Sequence, residues 1–403
     1  MLRSMFTAIS SLSLHQAFMD VVANNLANVN TYGFKSSRVT FQDQFAQTLW
    51  SGSAPSDTLG GVNPAQIGLG VRLGVISPTF TQGMLQATNR NTDLAIQGDG
   101  FFIYRNPVTN LYSRDGSLEM DSEGYLVNGA TGLRIQGWMA ADDGTVDVGA
   151  ALQDIQLPLG ATLAQQTTSS QLFGNLDARS TSPYEVAIGV YDSLGNLHSV
   201  TLTFTPGATE NSWTWAATGS GVSGNGDLVF DAEGQYVSST GSITVAASGI
   251  TGANDFTFAV DMSKLTQLAS ESDLSMTFQD GLAAGTFSTY FVTPQTGEIV
   301  GVYSNGMQRL IGQLALANFV NPAGLLQQGQ NLYMVGPNSG DPAVGQAGTG
   351  TRGTIAAGYL EGSNVDLGQE FTNMIVAQRG FQASSRIITT SDEMLMEIVN
   401  LKR

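Results

Sequence analysis

A chain of 403 residues is long enough for two or three domains, and an apolar content of 42% lets it bury real cores. Only 12% of residues are charged, and 33 acidic against 16 basic side chains leave a net charge of −17, which excludes a nucleic-acid backbone as partner because none of the needed Lys/Arg clusters is present. The absence of cysteine excludes both a disulfide framework and a thiolate metal site.

Residues 1–30 predict one amphipathic helix. Leu2, Met5, Ile9, Leu12, Met19, Val22, Leu26 and Val29 recur at steps of three, four or seven, a single stripe broken at Gln16. Ala8, Ala17, Ala23 and Ala27 keep the neighbouring faces thin, which permits close helix approach. Asn24, Asn25, Asn28 and Asn30 then crowd in before Gly33, so the helix is expected to end near Asn28. This segment has neither a continuous apolar core nor a small-residue cleavage site, unlike a conventional signal peptide. With no run of 18 apolar residues, membrane insertion is not expected. A cytoplasmic protein and one exported without a cleaved signal both fit.

The Gly-, Ser- and Pro-rich stretch within residues 46–70 reads as a linker or extended arm. Short β-like runs follow. The segment 94–105 holds two, broken at Gly98-Asp99-Gly100. Residues 111–138 hold three or four, with turns at Asp115-Gly116, Glu123-Gly124 and Asn128-Gly129. A second β-rich block spans 155–284, and residues 296–319 return to strands with the texture of the first. The expected organisation is therefore mainly β and discontinuous. An inner β domain (71–154 and 285–355) carries an inserted outer β domain (155–284). Residues 1–45 and 356–403 pair as a coiled-coil-like helical terminal domain.

The last helix is expected over 365–401, with Ser363 or Asn364 as N-cap and Asp366 in the first turn. Its stripe is Leu367, Phe371, Met374, Gln378, Phe381, Ser385, Ile388, Asp392, Leu395 and Val399, heptad spacing with polar intrusions. Two such helices outside a β-rich middle suit helix–helix assembly with further copies. The weakly charged Ser/Thr/Asn/Gln/Gly surface suits dense packing of them.

No chemistry stands out. The only histidines are His15 and His198. A Ser–His–Asp arrangement on His198 and Asp192 is weighed against a surface strand histidine, and the latter is the better account. Gly219, Gly221 and Gly224 match G-x-G-x-x-G, but a strand rather than a helix follows. Asp121, Glu123 and Gly124 faintly resemble a calcium loop lacking its twelfth-position Glu, and a hairpin turn explains them better. Asp142-Asp143 reads as a solvated loop. No catalytic, cofactor or metal site is expected.

Residues 21–45 (VVANNLANVNTYGFKSSRVTFQDQF) resemble the N-terminal signature of the bacterial flagellar rod and hook axial proteins, carried by Asn24, Asn25, Leu26, Ala27, Asn28, Thr31, Gly33, Phe34 and Lys35. Residues 93–102, 112–127 and 361–403 resemble further segments of that family, whereas 155–284 is not diagnostic. The large inserted block points to the hook-type members. The resemblance implies a subunit that polymerises into a curved flexible tube, a universal joint carrying torque from motor to filament. Ile9, Leu12, Met19, Val22, Leu26, Leu367, Phe371, Met374, Phe381, Ile388, Leu395 and Val399 would be its polymerisation residues. It further implies an extracellular place on the flagellum and export through the type III apparatus. Implied partners are further copies of the chain and the distal rod, hook cap and hook–filament junction proteins. A distal-rod subunit is the alternative within the family. A secreted β-rich adhesin and an enzyme on a β scaffold are the alternatives outside it.

Overall fold

The computed structural model describes residues 2–55, 59–107, 109–246 and 253–400; the Leu2 side chain lies outside that description. The chain forms two compact units, one of Met1–Gln156, Val292–Ile299 and Ile311–Arg403, the other of Leu157–Phe291 and Val300–Leu310.

The first unit opens with helix α1 (Leu2–Ala27). Its end is set by the Asn cluster: the Asn28 side chain donates to the Asn24 carbonyl at 2.9 Å, closing off the last turn. Strands β1 (Ser37–Asp43), β2 (Ala46–Trp50), β3 (Ala65–Gly68) and β4 (Val71–Pro78) follow. β1 pairs with β4 and β2 with β3, both antiparallel. The Gln44 N–H donates to Gly70 O and the Leu69 N–H to Phe45 O, joining the two pairs, and Ser53 bridges to Val62. Residues 37–53 thus run against 62–78 as one ribbon, roughly 55 Å long at about 3.3 Å per residue. The segment read as a linker or arm forms its outer half. After β5 (Leu85–Ala87) come β6 (Leu94–Gln97), β7 (Phe101–Arg105), β8 (Asn110–Ser113), β9 (Leu118–Met120), β10 (Leu126–Asn128), β11 (Arg134–Met139) and β12 (Gln153–Asp154).

The second unit contains β13 (Thr162–Gln165), β14 (Ser169–Asp177), β15 (Tyr184–Tyr191), β16 (Leu197–Pro206), β17 (Ser212–Gly219), β18 (Val222–Phe230), β19 (Tyr236–Ser239), β20 (Ile243–Val245), β21 (Phe256–Leu268), β22 (Asp273–Gln279) and most of β23 (Leu282–Val292). Its main sheet has the order β15-β16-β17-β18-β20-β21-β14-β22, with β14 and β21 parallel. Tyr184 in the first strand accepts from the Leu274 N–H in the last at 3.4 Å, so the sheet curls until its ends meet. Inward-facing alternate residues fill the interior, among them Leu202, Phe204, Trp213, Trp215 and Phe258. Three tight turns share one device: Asp121, Asp192 and Asp231 each accept from the N–H groups two and four residues on. The first of these is the segment weighed as a calcium loop, and it is a hairpin turn. Gly219, Gly221 and Gly224 lie at the β17–β18 turn, again without a helix.

The chain then runs through β24 (Glu298–Tyr303), β25 (Gln308–Asn318), β26 (Leu326–Gly329), β27 (Leu332–Met334), β28 (Ala343–Gln346), β29 (Thr354–Ala357), β30 (Tyr359–Glu361) and helix α2 (Leu367–Asn400). In the first unit the returning strands pair with the outgoing ones: β25 with β7 and β11, β27 with β8, β29 with β6, and β30 with β5. Phe101, Ile103, Tyr112, Trp138, Ala317, Phe319 and Tyr333 form the core between them. The N-cap of α2 is Asp366, whose Oδ1 accepts from the Gln369 N–H at 3.1 Å. This corrects the expected cap at Ser363 or Asn364; the Asn364 side chain instead accepts from the Ser36 N–H and donates to Thr79 O.

Candidate functional site

The two terminal helices pack against each other, antiparallel and in one register. The Asn25 side chain donates to Glu370 Oε1 at 3.2 Å, and the Ser384 hydroxyl donates to Ser11 Oγ at 2.9 Å. Between these contacts the His15 ring lies over Gly380, where an added Cβ would stand 2.4 Å from ring atoms. The buried residues of α2 are Glu370, Ala377, Ser384 and Ser391, one per heptad. Those of α1 include Ala8, Leu14, Val22 and Asn25. The α2 side of the seam is therefore built of small and polar side chains, while α1 adds Leu14 and Val22.

The sequence-derived stripe lies mostly beside this seam. Of its described members only Val22 is buried. Leu12, Met19, Leu26, Met374, Phe381, Ile388 and Leu395 are half-buried, while Ile9, Leu367, Phe371 and Val399 are exposed, Phe371 at 51% and Val399 at 68%. At about 100° per residue, Ile9, Leu12 and Met19 project from one flank of α1, and Leu367, Phe371 and Ile375 from the matching flank of α2. In an antiparallel pair these flanks share a side, so the pair presents one apolar face. A second exposed row on α2, comprising Val376, Ile387, Met394 and Ile398, escaped the sequence reading. The ribbon covers the other flank of α1: Phe41 stands edge-on to His15 and Phe18, with centroids 6.1 and 5.7 Å away. The outer ribbon is bare, with Phe45, Leu49, Trp50, Val62 and Ile67 exposed.

The signature residues form the base of the helix pair. Asn25 Nδ2 donates to Ser37 O and its Oδ1 accepts from the Ser37 N–H, both at 2.9 Å, so one carboxamide holds the strand after the helix and Glu370 as well. Thr31 donates to Asn28 Oδ1. Gly33, at φ 70°, passes so close to Arg114 and Asp115 that a Cβ would lie 2.7 Å from the Asp115 nitrogen. Phe34 lines a cavity of about 210 Å³ with Asn24, Asn28, Leu332 and Tyr333.

Lys35 is fully buried and meets Glu361 Oε1 at 2.7 Å, and Arg114, 2% exposed, approaches Glu361 Oε2 at 3.5 Å. Burial pushes the Lys35 ammonium below its ordinary range; the Glu361 charge and hydrogen bond oppose that shift, and the Arg114 charge adds to it. Burial likewise lowers Arg114, against the pull of Glu361 and Asp99. Glu361 and Arg114 were missed from sequence. The one available signal was a lysine inside the signature with no acid near it in the chain.

His198 does meet Asp192, at 3.0 Å, beside Phe256. It is partly buried rather than on the open surface. Asp192 spends its other bonds on its own turn. Among the described residues no group of three or more His, Cys, Asp or Glu could hold a metal ion. Among the described residues no helix is long and apolar enough to cross a membrane.

Comparison with known proteins accounts for this arrangement. The flagellar basal body rod protein profile matches residues 5–35, the flagellar hook protein FlgE/F/G D1 domain 95–170, the flagellar basal body protein FlaE D2 domain 158–282, and the flagellar basal body rod FlgEFG protein C-terminal profile 356–401. The chain is 38% identical to the flagellar hook protein FlgE of Borreliella burgdorferi and 38% identical to that of Treponema pallidum, each pair covered in full. The chain belongs to the flagellar hook protein family. The similarity also reaches the rod: the flagellar basal-body rod protein FlgG of Bacillus subtilis is 32% identical, again with both chains covered in full. In this hook-family chain the two helix-end profiles fall on α1 with its signature and on α2, and the D2 profile falls within the second unit.

Proposed function

We propose that this chain is a structural subunit of the flagellar hook that polymerises through its terminal helices and its ribbon. The observation that carries the reading is the apolar face of the helix pair. Side chains such as Ile9, Phe371 and Ile375 stay in solvent although α1 and α2 already pack together. A contiguous apolar surface of this kind fits an interface, and a heterologous, non-closing one generates a tube. The outer ribbon fits the same account, since an isolated two-stranded ribbon is marginal in water and gains from a neighbour. The sequence-derived polymerisation residues then divide in two: Val22 and its half-buried companions hold the pair together, and the exposed ones meet other copies.

In this reading the helices line the inner tube and the β units form a wall whose sparsely charged surfaces slide as the hook bends. The subunit leaves the cell through the type III export apparatus without a cleaved signal. It adds to the polymer between the distal rod and the hook–filament junction, under a cap. The full-length similarity to FlgG favours keeping a distal-rod subunit as the second reading. Electron microscopy of the purified protein tests the first. Curved tubular polymers support it, straight rods favour the second reading, and persistent monomers at high concentration would overturn both.

A further inference from the structure

The buried charges at the base of the helix pair converge on one residue. The Glu361 carbonyl accepts from the Gly33 N–H at 2.8 Å. Its Oε1 accepts from Lys35 Nζ at 2.7 Å and from the Gly83 N–H at 2.9 Å. Its Oε2 faces Arg114 Nη1 at 3.5 Å. The donors come from three places: the signature loop after α1, the crossover between β4 and β5, and the loop after β8. Glu361 itself ends β30, six residues before α2. The other acceptors of the two cations are neutral, Thr81 O for Lys35 and Gly98 O for Arg114. Arg114 also lies over the Phe101 ring at 5.3 Å.

We infer that Glu361 is a charge lock that makes closure of the N-terminal signature onto the first unit conditional on the C-terminal strand. A buried cation whose carboxylate is missing is strongly unfavourable, whereas a charge-free replacement of the whole cluster can be tolerated. Arg114 also feels the Asp99 charge, but Glu361 is the carboxylate that meets Lys35 and approaches Arg114 at once, so burying both cations together needs it seated between them. Seating Glu361 in turn fixes where α2 begins, and so places Glu370 against Asn25. Neither helix can then take its place on the β strands without the other. A subunit with one terminus unplaced is kept from presenting half of the helix-pair face. This inference deepens the assembly reading, because the lock has a use only where the paired helices are an interface. Its test does not require polymer.

The test is amide exchange on the full-length protein in dilute solution. Glu361→Gln keeps the shape and removes the charge. Expected is at least tenfold faster exchange at three places together, residues 33–35, 81–85 and 113–116, with the barrel strands of the second unit unchanged. Lys35→Met should be milder, since Glu361 keeps Arg114 and the Gly83 N–H. The pair Glu361→Gln with Lys35→Met should be better protected than Glu361→Gln alone, because one stranded cation is gone. Faster exchange confined to residues 359–362, or a double variant no better than Glu361→Gln, overturns the lock. Loss of polymer with normal exchange at these segments would leave the assembly reading standing and defeat this one.

Discussion

The barrel-like sheet of the second unit and the terminal helix pair handle their large apolar side chains in opposite ways. The sheet turns Phe204, Trp213, Trp215 and Phe258 inward, each 3% exposed or less. The helix pair buries Leu14 and Val22 but otherwise mostly small or polar side chains such as Ala8, Ala377, Ser384 and Ser391, and leaves Phe371, Ile375, Met394 and Val399 outside. A structure that seals its aromatics is complete in one chain. One that buries mostly small side chains and leaves Phe371, Ile375 and Val399 in solvent has an apolar face left over. On the proposed reading, the contrast separates a part made to fold from a part made to be covered.

The largest change should come from opening the sealed side. Trp213→Ala empties a fully packed site and should lower the stability of the second unit by about 3–5 kcal/mol. A shift of the urea midpoint, with faster exchange over residues 197–230 and none over 5–25, checks it. An unfolding transition that moves the helices in step would show that the two parts are not independent. The same contrast predicts that a fragment spanning residues 157–291 folds cooperatively by itself, whereas a peptide of either terminal helix alone does not.

A smaller effect is expected inside the seam. Gly380→Ala should gain helix propensity of about 1 kcal/mol. The new methyl, however, would sit against the His15 ring, 2.4 Å from its nearest atoms. Overpacking typically costs about 1–3 kcal/mol, so the clash should win and loosen the pair. Adding His15→Ala should recover the helix, measured by far-ultraviolet dichroism during thermal melting. No recovery would place the ring elsewhere.

The seam also shows why the sequence could be read only so far. Strand–turn–strand units such as 184–206 announce themselves through alternation and Asp-Gly-type turns, which are local. The helices were equally plain, but their facing was not. On α2 a stripe through Phe371 and Gln378 and one through Glu370 and Ala377 lie a single residue apart. The larger side chains suggest the first, yet the intrachain partner takes the second because Gly380 and Ser384 allow close approach. Glycine and proline in the 51–70 stretch made the ribbon read as a linker, and the exposed run Phe45 to Trp50 carries no apolar–polar alternation that would have marked it as a strand. The meeting of Lys35 with Glu361 joins residues more than three hundred positions apart, and no local pattern carries it.

The sealed side also holds one acid-sensitive contact. Burial pushes the Asp192 carboxyl up, but hydrogen bonds from His198, from the backbone and side chain of Asn196 and from the Leu194 N–H outweigh it and hold the group at about 2, against an ordinary 3.8. A carboxyl lowered on folding stabilises above its unfolded value and loses that contribution as pH falls toward the folded one. Asp192→Asn should therefore cost the second unit about 1–2 kcal/mol at pH 6 and close to nothing near pH 2. Urea titrations at both pH values check the sign; an equal loss at both would assign the effect to turn geometry alone.

The smallest effect on the chain itself, and the most telling, belongs to the uncovered face. Phe371 is half in solvent at the start of the second turn of α2, one residue beyond the buried Glu370. A surface substitution away from caps and seams usually changes stability by no more than about 0.5 kcal/mol. A carboxylate near a helix N-terminus is favourable by a further few tenths. Phe371→Asp should thus leave the monomer's melting and exchange unchanged or slightly improved. If other copies cover this face, the same substitution would bury an unpaired charge at every subunit of the polymer and should abolish assembly, seen as a loss of tubes by microscopy and of pelletable protein by sedimentation. Normal tubes from Phe371→Asp would mean that the exposed row faces solvent in the assembly too, and the helix pair would then be as finished in one chain as the barrel.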